Sequence, residues 1–134
     1  MQNEMARSIA SVTLLVREYD EAIAFFTEAL DLALLEDTPL GDGKRWVRVA
    51  PPGSNGACLV LARADSPEQL ARVGDQTGGR VFLFLETGDF WHDYRRMQEH
   101  GVRFTEEPRH EPFGWVVVFL DICGNKWDLV EASG

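Results

Sequence analysis

Basic residues are in short supply in this chain. Its 13 Lys and Arg stand against 22 Asp and Glu, for a net charge of −9 over 134 residues. A nucleic-acid partner needs a basic face to neutralise phosphates, and an anionic membrane surface needs the same, so both are excluded as expected partners. Cysteine is scarcer still, with only Cys58 and Cys123. Two cysteines and no secretion signal read as reduced thiols in a cytoplasmic protein. No apolar run approaches the roughly 20 residues that span a bilayer. The opening MQNEMARSIA lacks the basic start and apolar stretch of a signal peptide, and Met5 is a second candidate start. Histidines number three: His92 on the polar side of the second helix, His100 at that helix's C-terminus and His110 in RHEPFG, with no Cys–His or Ser–His pairing suggested by position. There is no G-x-G-x-x-G and no Walker pattern, so Gly78, Gly79 and Gly124 read as turn glycines.

What remains is a soluble globular chain, 45% hydrophobic and 26% charged. IASVTLLVR (9–17) reads as a strand. A helix follows with Asp20 as N-cap and Ile23, Phe26 and Leu30 on one apolar face. LALLED (32–37) is a strand, TPLGDGK (38–44) a turn, RWVRVA (45–50) a strand, PPGSNG (51–56) a turn and ACLVLARA (57–64) a strand. SPEQ (66–69) opens a short helix, with Ser66 as N-cap and Gln69 completing a capping box.

The pattern then recurs. RVFLFLE (80–86) is a strand and Asp89 caps a helix that Gly101 ends. VRFTEE (102–107), WVVVFLD (115–121) and KWDLVE (126–131) are strands, and RHEPFG (109–114) is a short extended segment or loop. Val12, Leu14, Val16 and Asp20 line up with Val81, Leu83, Leu85 and Asp89. An internal repeat of this kind predicts an α+β fold. Its parts are two βαβββ modules in tandem, with paired curved sheets enclosing a cavity. The modules run over 9–64 and 80–131, joined by a linker over 65–79, within one domain spanning 1–134.

VTLLVREYDEAIAFFTEALDL (12–32) and VVVFLDICGNKWDLVE (116–131) resemble the vicinal oxygen chelate superfamily, which includes glyoxalase I, bleomycin-resistance proteins and extradiol dioxygenases. The first stretch resembles the family's D-x-x-I-x-F-(F/Y) helix opening, with Asp31 where the family has Gly. The second resembles the closing F-x-D-P-x-G-N-x-x-(E/D)-L hairpin, with Ile122 in place of Pro. Metal-dependent members hold one divalent ion with four side chains. The resemblance places those positions at Ser11, Val60, Arg80 and Asp128. Val60 cannot ligate, Arg80 repels a cation, and Ser11 is a poor ligand for zinc, nickel or iron. Only Asp128 keeps ligand chemistry, so no metal and no cofactor are expected.

The resemblance therefore implies metal-independent binding of a small cationic or aromatic molecule, by a homodimer like the bleomycin-resistance branch. The alternative is a metal-dependent lyase, isomerase or dioxygenase of the glyoxalase I kind. Arg80 and Asp128 are expected on neighbouring strands of one module, both facing the cavity and forming an ion pair. Phe82 and Phe84 share Arg80's alternation and are expected to face the cavity too. Trp46 and Arg48 share one face of their strand, on a side the sequence leaves open. His110 is placed beside the cavity mouth, and Trp115 is a further aromatic ligand contact. Trp127 and Trp91 are expected in helix–sheet packing.

Overall fold

A computed structural model describes residues 5–132; Met1, the other candidate start, lies outside them. Sheet A holds β1 (Ser11–Val16), β2 (Ala33–Gly41), β3 (Lys44–Ala50) and β4 (Cys58–Arg63) in the order β1-β4-β3-β2. Sheet B holds β5 (Val81–Thr87), β8 (Gly114–Leu120) and β9 (Lys126–Glu131), with two short strands, β6 (Arg103–Phe104) and β7 (Arg109–Glu111), both pairing β8. In each sheet the first strand runs parallel to the last, and the remaining pairs are antiparallel. This is the predicted pair of βαβββ modules. Among the described residues, no helix is long and apolar enough to cross a membrane.

Helix α1 (Tyr19–Ala24) continues as a π-helical turn over Phe25–Ala29. Its N-cap is Glu18, with no side-chain bond, and not Asp20. Asp20 lies inside the first turn and instead accepts from Arg45 Nη1 at 2.9 Å. The helix closes at Asp31, whose φ of 57° is the left-handed conformation that glycine adopts without cost. Helix α3 (Phe90–Glu99) is capped as predicted, Asp89 Oδ1 accepting from His92 N at 3.2 Å. His100, at its C-cap, bonds through Nδ1 to the Arg96 carbonyl at 2.9 Å.

The alternation of each strand divides its side chains between a helix-covered face and an open face. Leu14, Val16, Val47, Val49 and Leu61 are fully buried on the covered face of sheet A, as are Val117, Phe119 and Leu129 on that of sheet B. The two cores are one cluster. Phe26 of α1 reaches across to Trp127 of β9, ring centroids 5.7 Å apart, and Arg96 of α3 donates from Nη2 to the Glu28 carbonyl at 2.8 Å.

Two expectations shift in length. Strand β2 runs on through Thr38–Gly41, so the expected turn shrinks to a hairpin tip at Asp42 and Gly43. The expected strand over 102–107 is broken after Phe104, where the Glu106 carboxylate takes the Val118 amide at 3.1 Å in place of a ladder bond.

The segment between the modules is held tightly. Helix α2 (Pro67–Arg72) has the Ser66 cap, and Gln69 reaches back to the Asp65 amide at 2.9 Å. Beyond it, the Gln76 side chain imitates a strand. Its Oε1 accepts from Leu15 N at 3.3 Å and its Nε2 donates to the Thr13 carbonyl at 3.0 Å, covering part of the outer edge of β1. The Gln76 amide donates to Asn125 Oδ1 at 3.0 Å. Gly74, with φ of 80°, passes so close to the 121–125 turn that a Cβ would lie 2.2 Å from the Cys123 carbonyl oxygen.

Candidate functional site

The open face of sheet A is built in rows. Ser11, Cys58 and Val60 with Thr13 alternate outward from β1 and β4, in register with Arg48 of β3 and Glu36 of β2. The face left undecided for Trp46 and Arg48 is thus the open one. Glu36 organises it. Its Oε1 accepts from Arg48 Nε at 3.0 Å and from Trp46 Nε1 at 3.1 Å, while Thr38 Oγ1 donates to Oε2 at 3.3 Å. Arg48 Nη1 also points to Cys58 Sγ at 3.8 Å. With its N–H tied down, the Trp46 indole is fixed in orientation yet 37% exposed. Glu36 was not foreseen. The only signal for it is its register with Arg48, and the bulge at Leu35 hides that register from the sequence.

On sheet B, Asp128 is central to its open face, in register with Phe84 on one side and Val118 on the other. The Phe84 ring is 66% exposed. Asp128 Oδ1 is buried and has no hydrogen-bond partner. Burial pushes the Asp128 carboxyl above its ordinary range, Arg109 opposes the shift and Glu106 adds to it. Arg109 is itself shared between Glu106 at 2.9 Å and Glu111 at 3.1 Å.

Several expected site residues lie elsewhere. Arg80 precedes β5, is exposed, and forms no ion pair among the described residues, so it does not meet Asp128. Phe82 turns away from the open face. A bulge between Val81 and Leu83 breaks the strand alternation, and Phe82 packs edge-on against Trp127 at 6.3 Å in the core. Trp115 also lies on the covered face. It stacks on Phe90 at 6.4 Å and meets Trp91 at 5.0 Å, both on α3. His110 follows it, exposed, with its ring 4.8 Å from Trp115. Trp127 and Trp91 pack between helix and sheet, as expected. His92 is exposed on α3.

The four positions that hold a metal in relatives do not supply a donor set here. Val60 stands opposite Thr13 and Asp128 opposite Phe84. Among the described residues there is no group of three or more His, Cys, Asp or Glu that could hold a metal ion. One carboxylate among a valine, a serine and aromatic carbon does not fit a divalent ion that prefers three or four ligands.

The family model described as "Glyoxalase/Bleomycin resistance protein/Dioxygenase superfamily" matches residues 8–129. An uncharacterized protein of Shewanella frigidimarina (strain NCIMB 400) is 52% identical over 130 residues, covering 96% of both chains. Among solved structures, TnmS3, an antibiotic binding protein from Streptomyces sp. CB03234, is similar with a TM-score of 0.76 and 30% identity, covering 98% of this chain and 100% of that one. A glyoxalase/bleomycin resistance protein from the same strain has a TM-score of 0.70 and 32% identity, covering 92% and 99%.

Proposed function

The chain belongs to the glyoxalase/bleomycin resistance protein/dioxygenase superfamily, and from that premise we propose that it binds a small aromatic or cationic molecule on the open faces of its sheets, without a metal ion. The carrying observation is on sheet B, where a carboxylate oxygen of Asp128 is left without a partner beside the open ring of Phe84. Leaving such a group unpaired costs free energy, and a ligand's N–H would recover it once the side chain turns to meet it. The Phe84 ring adds a cation–π or stacking surface. The fixed indole of Trp46 offers a second stacking surface on sheet A. The antibiotic-binding neighbour supports sequestration over turnover.

In this reading residues 1–134 form one cytoplasmic domain, with modules 9–64 and 80–131 and linker 65–79. Ser11, Trp46, Arg48, Val60, Phe84 and Asp128 stay as ligand contacts. The protein works as a homodimer, because each open face in a single chain is a floor without a roof. A second copy would set sheet A of one subunit over sheet B of the other.

Quenching of Trp fluorescence across a panel of cationic and aromatic compounds tests the binding, with Asp128→Asn as the control variant. Saturable quenching that weakens in the variant is expected. Nickel, zinc or iron bound at one per chain in the purified protein would overturn the metal-free reading. Light scattering on a sizing column should give the mass of two chains.

A further inference from the structure

The open face of sheet B is laid out in rows. Phe84, Asp128 and Val118 stand side by side on β5, β9 and β8. Glu86, Val130, Val116 and Arg109 make the next row, across β5, β9, β8 and β7. The buried Leu129 and Val117 between the rows point the other way, into the core. Two bases share the open face, and neither pairs with Asp128 or Glu86. Arg109 closes the far end of its row, held by Glu106 at 2.9 Å and Glu111 at 3.1 Å. Lys126, exposed, is level with Val81, on the side of Asp128 away from Glu86.

Two carboxylates are left over. Among the described residues Asp128 and Glu86 make no hydrogen bond and no ion pair. Glu86 is exposed, but Asp128 is half-buried and its Oδ1 is wholly buried. An acceptor held out of water without a donor costs free energy, which sets Asp128 apart from the exposed acids of this chain. The exposed Phe84 ring completes a triangle with them. It is level with Asp128 and two residues before Glu86 on the same face of β5. From the rise along a strand and the spacing between strands, Asp128 and Glu86 are diagonal neighbours about 8 Å apart at Cα. Side chains of that length reach one small cation between them. A ring face beside it attracts positive charge.

We infer that Asp128, Glu86 and Phe84 form a cation subsite on sheet B, which takes the ammonium group of an organic amine. The inference rests on the reading of the open faces as ligand surfaces. It gives the ligand a positive end and adds Glu86 to the residues that hold it.

Three probes of similar shape separate the possibilities: 2-naphthylmethylammonium, neutral 2-naphthylmethanol and anionic 2-naphthoate, titrated calorimetrically into the full chain at pH 7. The alcohol keeps a hydrogen-bond donor and loses the charge. The ammonium should bind at least about ten-fold more tightly than the alcohol, a gap of about 1.4 kcal/mol. Glu86→Gln should narrow that gap about three-fold, the range of one exposed charge pair, and leave the alcohol's affinity unchanged. Asp128→Asn should narrow it further. Glu99→Gln removes the same charge from an exposed position on α3 and should leave the gap as it stands. Equal affinity for ammonium and alcohol in the parent protein overturns the inference. So does a gap that survives intact in Glu86→Gln or in Asp128→Asn, or one that Glu99→Gln narrows as much. Tighter binding of the alcohol or of naphthoate overturns the cation subsite and leaves the ligand surfaces standing. Binding of none of the three overturns both.

Discussion

Replacing Asp121 by Ala tests how the 121–125 turn is built. This carboxylate is 2% exposed. Oδ1 accepts three backbone amides, Cys123 N at 2.9 Å, Gly124 N at 3.0 Å and Asn125 N at 3.0 Å. Oδ2 accepts Asn125 Nδ2 at 3.1 Å and the Trp127 indole at 3.0 Å. Each hydrogen bond to a charged group contributes roughly 1.5–3 kcal/mol, so five counted separately would approach the stability of a whole domain. They are not separate. Gly124 N keeps the Asp121 carbonyl at 3.0 Å, water enters the vacated space, and the carboxylate's own burial cost disappears. We expect a loss of about 4 kcal/mol, or roughly 12–16 °C in melting temperature for a chain of this length. Asp121→Asn keeps one oxygen for the backbone amides but turns an NH2 toward two donors, for an expected loss of about 2–3 kcal/mol. Urea unfolding at pH 7, followed by Trp emission, measures both. A loss below about 1 kcal/mol for the Ala variant, with an unchanged urea slope, would refute the account of the turn as organised by this carboxylate.

Four other outcomes follow from the same geometry. Burial raises the Asp128 carboxyl, so the folded state holds its proton more tightly than the unfolded state does. Stability then falls as pH rises from the ordinary carboxylate value through the folded value, and Asp128→Asn should gain on the parent protein between pH 4 and pH 7 in melting experiments. Gly74→Ala meets the Cys123 carbonyl and an unfavourable φ together, and should cost at least about 2 kcal/mol in urea unfolding. Asp31→Gly relieves a left-handed aspartate and should stabilise by up to about 1 kcal/mol, unless the 3.9 Å contact with Arg96 contributes more than its exposure suggests. Burial, with Asp121 nearby, pushes the Cys123 thiol up to about 11, so iodoacetamide at pH 8 should leave it unlabelled until urea unfolds the chain.

The element order was legible because strands such as RWVRVA alternate and each helix has its own period, and the repeat of VTLLV in VFLFL doubled the signal. The site was harder to read. Face assignment within β5 needs an unbroken alternation, and one extra residue at Phe82 shifts everything before it, Arg80 included. In WVVVFLD both faces are apolar, so nothing in the sequence says that Trp115 joins Phe90 and Trp91 while Val118 joins Asp128. Glu36 depended on which residue of β2 stands across from Arg48, a long-range register that no local pattern carries. At α1 two acids two positions apart, Glu18 and Asp20, competed for the cap, and Arg45, distant in sequence, decided where Asp20 points. Asp128 kept its predicted face, since Trp127 and Leu129 on either side are buried and it must point the other way.

The joint between the modules also determines where foreign sequence can be spliced in. Linkers between repeated halves are the usual choice for tags, reporters or new chain ends. Here residues 74–76 of that segment are a poor place for it, because Gly74 has no room beside Cys123 and Gln76 is bonded into β1. The slack lies within the first module, where the turn after Pro52 carries Gly53 with nothing within 4 Å of an added Cβ. A reporter inserted there would leave both halves bolted together, beside the end of β4 that carries Cys58 and Val60.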